Sequence, residues 1–372
     1  MYENSQNVSS FDRDLTVWVL SDEFDVLQEV NDLFEAEHKV DIHLEVVSVD
    51  EVYAKLLAMT DDKNYPDIVT VDHVMISEFV NHELIEPLNK VFESLEVLPT
   101  AKPGLKVKGD YYGVPYDAMT DILYYNKMQF PDGISTFEML DEESLALDYK
   151  NIYHLNPFLT GYSGYIVGIN NFGDTNFYDI GLNREESMQG FMTLLDLIDE
   201  HVVYRAEGDI YDMFLSKEAD LLIAPASMMS SIADYYPNLG YQAIPNFVET
   251  YLPYTYMTMN TYQLTALSKD KELATQYLNF LVSEDVSIAR YEKYNAIAPF
   301  DYEEPITQDD YYTIVKKQLH RAMPLPNQIE FNQLYIPFRD AIEQIVSMPD
   351  QMQAILDNVV VDINKAIELI SK

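Results

Sequence analysis

The chain has 372 residues, 48% of them apolar, with a formal net charge of −40 at pH 7 and no cysteine. Such a chain can bury a large core and is expected to divide into two domains. Its charge argues against nucleic acids and anionic membranes as partners, since both are bound through Lys and Arg. The lack of cysteine excludes disulfides, thiolate catalysis and Cys-ligated zinc. The sequence contains no run of about 18 apolar residues, so no membrane-spanning helix is predicted.

Residues 1–14 are polar and rich in Ser and Asn, which predicts a flexible tether. They lack the basic and apolar regions of a signal peptide. We expect that Met1 replaces whatever preceded this segment. After the tether, a compact β-branched strand is predicted at 15–20, ending in Ser21-Asp22-Glu23. An amphipathic helix, a second strand at 40–47 and a short helix capped by Asp50 follow it.

The stretch 65–88 is the clearest unit of the sequence. An apolar run at 68–71 predicts a buried strand, and it stops at Asp72 and His73. Apolar residues then recur at helical spacing until Pro87. The first ninety residues therefore read β-α-β-α-β-α, which predicts a parallel sheet covered by helices. Ligands bind beyond the carboxyl ends of such strands, so Asp72 and His73 are predicted to line a binding cleft.

The second part of the chain contains two predicted crossings between domains. A strand at 122–125 begins after a Gly-rich turn, which places the first crossing near Ala118. Further strands are predicted at 219–223 and 262–267. A second crossing falls at 305–310, and the remainder reads as helical, broken by a Pro-rich turn at 323–326.

Several stretches, in this order, resemble one known family. They are Leu15 to Trp18, Pro66 to Val69, Gly113 to Lys127, Ala219 to Pro225, Leu267 to Ala274, and Met323-Pro324 followed by Tyr335 and Arg339. The chain resembles the extracellular solute-binding proteins of bacterial ABC importers, in the carbohydrate-binding group that includes maltose-binding protein. The resemblance covers nearly all of residues 14–370.

The resemblance implies an α/β, two-lobed periplasmic-binding-protein fold (type II-like) with a ligand cleft at the hinge. The lobes would be discontinuous: 15–118 plus 258–308 in the N-terminal lobe, and 119–257 plus 309–372 in the C-terminal lobe. It also implies hinge closure on a small-molecule ligand, an oligosaccharide being favoured, and delivery to ABC permease subunits. We expect a monomer, either periplasmic or attached outside the cytoplasmic membrane by a lipid anchor that was removed from this chain.

The resemblance also implies a set of ligand-binding residues. In the first lobe, Asp22 matches a sugar-binding aspartate, Glu23 replaces a lysine, and Asp72 with His73 forms the next strand end. In the second lobe, Met119 replaces a carboxylate and Ala226 a tryptophan. Tyr162 matches a stacking tyrosine, Tyr335 replaces another tryptophan, and Arg339 matches an arginine. Aromatic faces suit the C–H surfaces of sugars, and planar polar groups suit their hydroxyls.

Two alternatives remain open from the sequence. The first keeps the fold but gives it an acidic cleft for a cationic solute such as a polyamine. The second is a carbohydrate-active hydrolase with an unrecognised carboxylate pair. The phosphate-binding, dinucleotide-binding and zinc-protease patterns are all missing, and no EF-hand loop is present. We therefore expect no catalytic residue, no metal and no cofactor.

Overall fold

The computed structural model describes residues 11–59, 64–140, 143–170, 175–200, 202–203, 209–248, 250–302 and 305–370. The strands are β1 (Asp14–Val19), β2 (Asp41–Val46), β3 (Ile68–Asp72), β4 (Lys106–Val107), β5 (Asp110–Tyr111), β6 (Val114–Asn126), β7 (Leu145–Ala146), β8 (Val167–Ile169), β9 (Thr175–Ile180), β10 (Val202–Val203), β11 (Leu221–Pro225), β12 (Leu239–Gln242), β13 (Thr255–Leu264) and β14 (Ala322–Pro324). The helices are α1 (Ser21–His38), α2 (Val49–Ala58), α3 (Ile76–Asn81), α4 (Asn89–Phe92), α5 (Ile152–Thr160), α6 (Glu185–Glu200), α7 (Asp209–Leu215), α8 (Met229–Ala233), α9 (Lys271–Leu281), α10 (Glu284–Tyr294), α11 (Asp310–Leu319), α12 (Tyr335–Ser347) and α13 (Met352–Ile370).

The described residues form two compact units. Unit 1 is drawn from Met1–Leu98, Leu105–Ala118 and Met259–Thr307. Unit 2 is drawn from Pro99–Gly104, Met119–Thr258 and Gln308–Lys372. Strands β6 and β13 each begin in one unit and end in the other. Residues 1–10 of the predicted tether lie outside the described residues, whereas Asp14 already belongs to β1.

Unit 1 is built on the strand order β13-β3-β1-β2. The pairs β1–β2 and β1–β3 are parallel, as predicted from the alternating pattern of the first ninety residues. Strand β3 is buried from Ile68 to Val71, which matches its unbroken apolar run. The part of β13 from Asn260 to Leu264 pairs with β3 in the antiparallel sense, so the sheet is mixed rather than wholly parallel.

Three local predictions in unit 1 are wrong. Ser21, Asp22 and Glu23 do not end the strand; they form the first turn of α1, where acidic side chains suit the positive end of the helix dipole. Asp50 is not a cap, because Ser48 holds the N-cap position of α2 and Asp50 lies within its first turn. The helix predicted to run to Pro87 ends at Asn81, and Glu83 follows with a left-handed φ of 56°.

Unit 2 is built on the strand order β10-β7-β11-β6. Strands β10, β7 and β11 are parallel to one another. Strand β11 and strand β12 both pair with β6 in the antiparallel sense. Helix α5 is the next helix or strand after β7. Its N-cap residue Asn151 accepts a hydrogen bond from the backbone N–H of Tyr153 at 3.0 Å. The strand predicted at 219–223 is present as β11, with its bounds shifted to Leu221–Pro225.

Candidate functional site

In unit 1, polar residues gather where the parallel strands β1 and β3 end. Asp22 is exposed in the first turn of α1, directly after β1. Asp72 ends β3, and its carboxylate accepts a hydrogen bond from the backbone N–H of Val74 at 3.1 Å. The Asp72 side chain is 27% exposed. Because neighbouring parallel strands end at one edge of a sheet, this edge of unit 1 offers two carboxylates to solvent.

His73 follows Asp72 but points into unit 1. Its side chain is fully buried. Its Nδ1 lies 3.0 Å from the backbone nitrogen of Met259 and 3.1 Å from Asp72 Oδ1. The structure therefore gives His73 a role in joining β3 to β13, and its side chain is not presented at the edge.

Glu23 also turns inward, into a buried ion pair. Its side chain is 4% exposed and that of Arg290 is 1% exposed. Arg290 Nε and Nη2 donate to Glu23 Oε1 at 2.9 and 2.7 Å, and Nε also lies 3.0 Å from Oε2. The Tyr262 hydroxyl donates to the same carboxylate. Burial holds the pKa of Tyr262 well above its usual value, so the hydroxyl remains a donor.

A further carboxylate near this pair was not predicted. Asp117 is partly exposed on β6 and accepts a hydrogen bond from the backbone N–H of Ile297 at 3.1 Å. Burial, reinforced by the nearby charge of Glu23, raises the pKa of Asp117 to about 6. The Ile297 N–H and the Arg290 guanidinium oppose that rise. The Arg290 guanidinium is hydrogen-bonded to Glu23, so it compensates the negative charge of Asp117 only weakly.

In unit 2, the parallel strands β7 and β11 also end at one edge. Ala226 comes directly after β11 and is buried. Its carbonyl accepts hydrogen bonds from the hydroxyls of Tyr124 and Tyr311, at 2.9 and 2.8 Å. The Ala226 backbone is thus fixed from two sides, and its methyl group offers no stacking surface.

An aromatic cluster lies at the beginning of α5 and α12. The rings of Tyr153 and Tyr335 meet edge to face, with centroids 5.2 Å apart and an interplanar angle of 68°. Phe331 contacts both rings, and Tyr256 meets Tyr153 at 6.2 Å. Within the described ranges, the buried hydroxyl of Tyr335 has no hydrogen-bond partner. We name Tyr153, Tyr256, Phe331 and Tyr335 the tyrosine cluster.

The other predicted residues of unit 2 make contacts outside the four rings of this cluster. Tyr162 lies beyond the end of α5, where its hydroxyl is 2.7 Å from Thr193 Oγ1 and its ring packs near Phe247. Met119 is partly exposed on β6. Arg339, one helical turn after Tyr335, is 52% exposed and forms an ion pair with Asp340 at 3.3 Å. The structure brings Tyr335 together with Tyr153, which the sequence prediction missed.

The described residues contain neither a cluster of metal-binding side chains nor a helix that could span a membrane. No group of three or more His, Asp or Glu side chains in these ranges is placed to hold a metal ion. In the same part of the chain, every helix is too short or too polar to cross a bilayer.

The sequence model of a family described as "Bacterial extracellular solute-binding protein" matches residues 30–306. The galactooligosaccharide-binding protein of Bacillus subtilis is 24% identical, over 92% of this chain and 87% of its own length. The maltodextrin-binding protein of the same organism is 25% identical, over 89% and 85%.

A solved extracellular solute-binding protein from Staphylococcus aureus, in complex with maltose, has the same fold. It superposes with a TM-score of 0.87 at 18% identity, covering 97% of this chain and 99% of that one. The predicted fold class, an α/β binding-protein fold, is thereby confirmed. The predicted interlobe cleft, its hinge and the individual ligand contacts stay predictions.

Proposed function

Because the chain belongs to the family of bacterial extracellular solute-binding proteins, we propose that it captures an oligosaccharide and delivers it to the transmembrane subunits of an ABC importer. Family membership makes it an extracellular binding protein rather than an enzyme, as predicted. Attachment to the outer face of the cytoplasmic membrane through a lipid anchor is part of the proposal.

The observation that carries the sugar proposal is the tyrosine cluster at the beginning of α5 and α12. Sugar rings present C–H faces that pack on aromatic rings and hydroxyls that need planar polar partners. Tyr153 and Tyr335 supply the rings, and α5 begins next to the strand-end edge of unit 2. An apolar wall with few oriented polar groups is the ordinary make-up of a small-ligand site.

We assign direct solute contacts to residues that are exposed or partly exposed: Asp22, Asp72, Met119, Tyr153, Tyr162, Tyr335 and Arg339. Glu23, His73 and Ala226 are given an indirect role, because their side chains are buried and the two polar ones are engaged inside unit 1. The relatives named above bind galactooligosaccharides and maltodextrins, which supports an oligosaccharide of either type. They give the cationic-solute alternative no support.

A thermal-shift screen of the purified protein tests this function. The panel contains maltotetraose, a galactotriose, spermidine and calcium. A ligand that binds only the folded state raises the melting temperature, by an amount equivalent to about 2.7 kcal/mol at a hundred times its Kd. We expect one class of saccharide to raise it in a concentration-dependent way. A rise with spermidine or calcium alone would overturn the oligosaccharide proposal.

A further inference from the structure

Helix α5 and strand β6 are joined in unit 2 by a His–Asp pair that has no assigned role. His154 Nδ1 lies 2.5 Å from Asp121 Oδ2. The two side chains are 13% and 12% exposed, so the pair is mostly shielded but reaches the surface. Since Asp121 accepts, Nδ1 carries a proton, and the ring presents its other nitrogen, Nε2, away from the carboxylate.

The charges around this pair favour an imidazolium. Burial alone would lower the pKa of His154, but the charge and the hydrogen bond of Asp121 outweigh it, and Asp148 adds to their effect. The net result is a raised pKa for His154. Asp121 also acts on Tyr211 of α7, whose pKa is raised to about 12 by burial and by the Asp121 charge. Tyr211 therefore stays neutral throughout the physiological range.

The position of the pair links it to the candidate site. Asp121 stands opposite Pro225, the last residue of β11, and therefore beside the turn at Ala226. His154 lies in the first turn of α5, next in sequence to Tyr153 of the tyrosine cluster. The pair thus lies at the strand-end edge of unit 2, where both β7 and β11 end.

Asp121 Oδ1 and His154 Nε2 make no side-chain hydrogen bond in the described part of the protein. Asp121 Oδ2 bonds to the imidazole, and no other side-chain hydrogen bond to Asp121 or to His154 Nε2 is present in those ranges. A buried polar pair that served only to clamp α5 to β6 would be replaceable by apolar residues at little cost. Its partial exposure beside aromatic rings suits recognition of a polar ligand instead.

We infer that the His154–Asp121 pair determines which saccharide binds, with Nε2–H of His154 donating to one sugar oxygen and Asp121 Oδ1 accepting from a neighbouring hydroxyl. This inference rests on the proposed function. A donor and an acceptor held in fixed geometry select two adjacent sugar oxygens by their spacing. A saccharide that cannot satisfy both leaves a shielded polar group unpaired, which costs affinity.

The pair also makes saccharide binding depend on pH. Below the raised pKa of His154, Nε2 carries a proton and donates. Above it, Nε2 becomes an acceptor, and the charge-assisted hydrogen bond to the sugar oxygen is lost. Affinity is therefore highest at acid pH and falls as pH rises through the pKa of the bound-state imidazole.

The deciding experiment measures Kd by isothermal titration calorimetry from pH 5.5 to 8.5, with maltotetraose and a galactotriose as probes. The variant is His154→Asn, whose amide N–H can replace Nδ1 as donor to Asp121 but has nothing in place of Nε2. We expect a melting temperature close to that of the wild type, a Kd weakened about tenfold at pH 6, and a flat pH profile. Asp121→Asn, which removes the charge partner of the imidazole, should weaken binding and move the pH dependence to lower pH.

His43→Asn on β2 is the matched control, because it removes a partly exposed imidazole outside both strand-end edges. It should keep the wild-type Kd and pH profile. If His154→Asn also keeps both, the pair is a structural clamp and the inference is overturned. If the folded wild type binds neither saccharide at any pH, the proposed function fails first, and this inference fails with it.

Discussion

The buried Glu23–Arg290 pair allows a sharp test of how unit 1 is held together. Arg290→Met removes the guanidinium while keeping an unbranched apolar side chain of similar reach. It would leave the Glu23 carboxylate buried, with the Tyr262 hydroxyl as its remaining side-chain donor among the described residues. Breaking a buried pair in this way costs about 3–5 kcal/mol of unfolding free energy, most of it the penalty for an uncompensated buried charge.

The double variant Glu23→Gln with Arg290→Met removes that charge as well. We expect it to recover most of the loss, because the Gln amide carries no charge and its carbonyl oxygen can still accept from the Tyr262 hydroxyl. The difference between the two variants then measures the cost of the isolated carboxylate rather than the strength of the pair.

The assay follows from the position of the single tryptophan. Trp18 is 5% exposed in β1, so its fluorescence during urea unfolding reports on unit 1. The midpoint and slope of this transition give the free energy for that unit. Equal losses in the single and the double variant would refute the reasoning. They would mean that packing around Arg290, not the uncompensated charge, holds α10 to α1.

Two further predictions use the same fluorescence signal. The folded pKa of Asp117, about 6, exceeds the unfolded value of about 3.9, so its contribution to stability is fully present below pH 4 and is lost as pH rises through 6. Asp117→Asn keeps a side-chain oxygen that accepts from the Ile297 N–H but carries no charge. It should raise the unfolding free energy by about 1–2 kcal/mol at pH 7 and leave it unchanged at pH 4. A lower unfolding free energy at both pH values would contradict this prediction. Gly113→Ala should cost about 2–4 kcal/mol, because φ is +71° and a Cβ would lie 2.1 Å from Gln263 Nε2. Gly109→Ala is the control, because Gly109 has a φ of +97° with open space around it, so that only backbone strain should lower its unfolding free energy, by about 1 kcal/mol. Equal losses of unfolding free energy in the Gly113 and Gly109 variants would show that the predicted contact with Gln263 costs nothing.

Local patterns predicted the framework of unit 1 well, because each strand and helix there is written in neighbouring residues. The apolar run of β3 and its end at Asp72 are examples. The sequence could not show that Glu23 is engaged inside the protein, since its partner Arg290 is 267 positions away. The resemblance placed Glu23 at the site, and only the fold reveals that its side chain is buried in the pair with Arg290.

In unit 2 the missed residue is Tyr153. The resemblance assigns the stacking tyrosine to Tyr162 instead. A usable signal was present: Asn151 is a good helix cap and comes shortly after the short strand β7, which ends at Ala146, so the first turn of α5 is expected near the strand-end edge. The contact of Tyr153 with Tyr335 crosses most of unit 2 in sequence and is a product of the fold.

The oligosaccharide proposal is tested most directly by titrating Tyr335→Ala and its control Tyr235→Ala with maltotetraose and a galactotriose. Tyr235 is 74% exposed on unit 2 and outside the tyrosine cluster, so its removal should leave Kd unchanged. Loss of the Tyr335 ring removes an aromatic face from the proposed site and should weaken binding by about tenfold or more. Wild-type affinity in both variants would contradict the assignment of the tyrosine cluster as the sugar-binding surface.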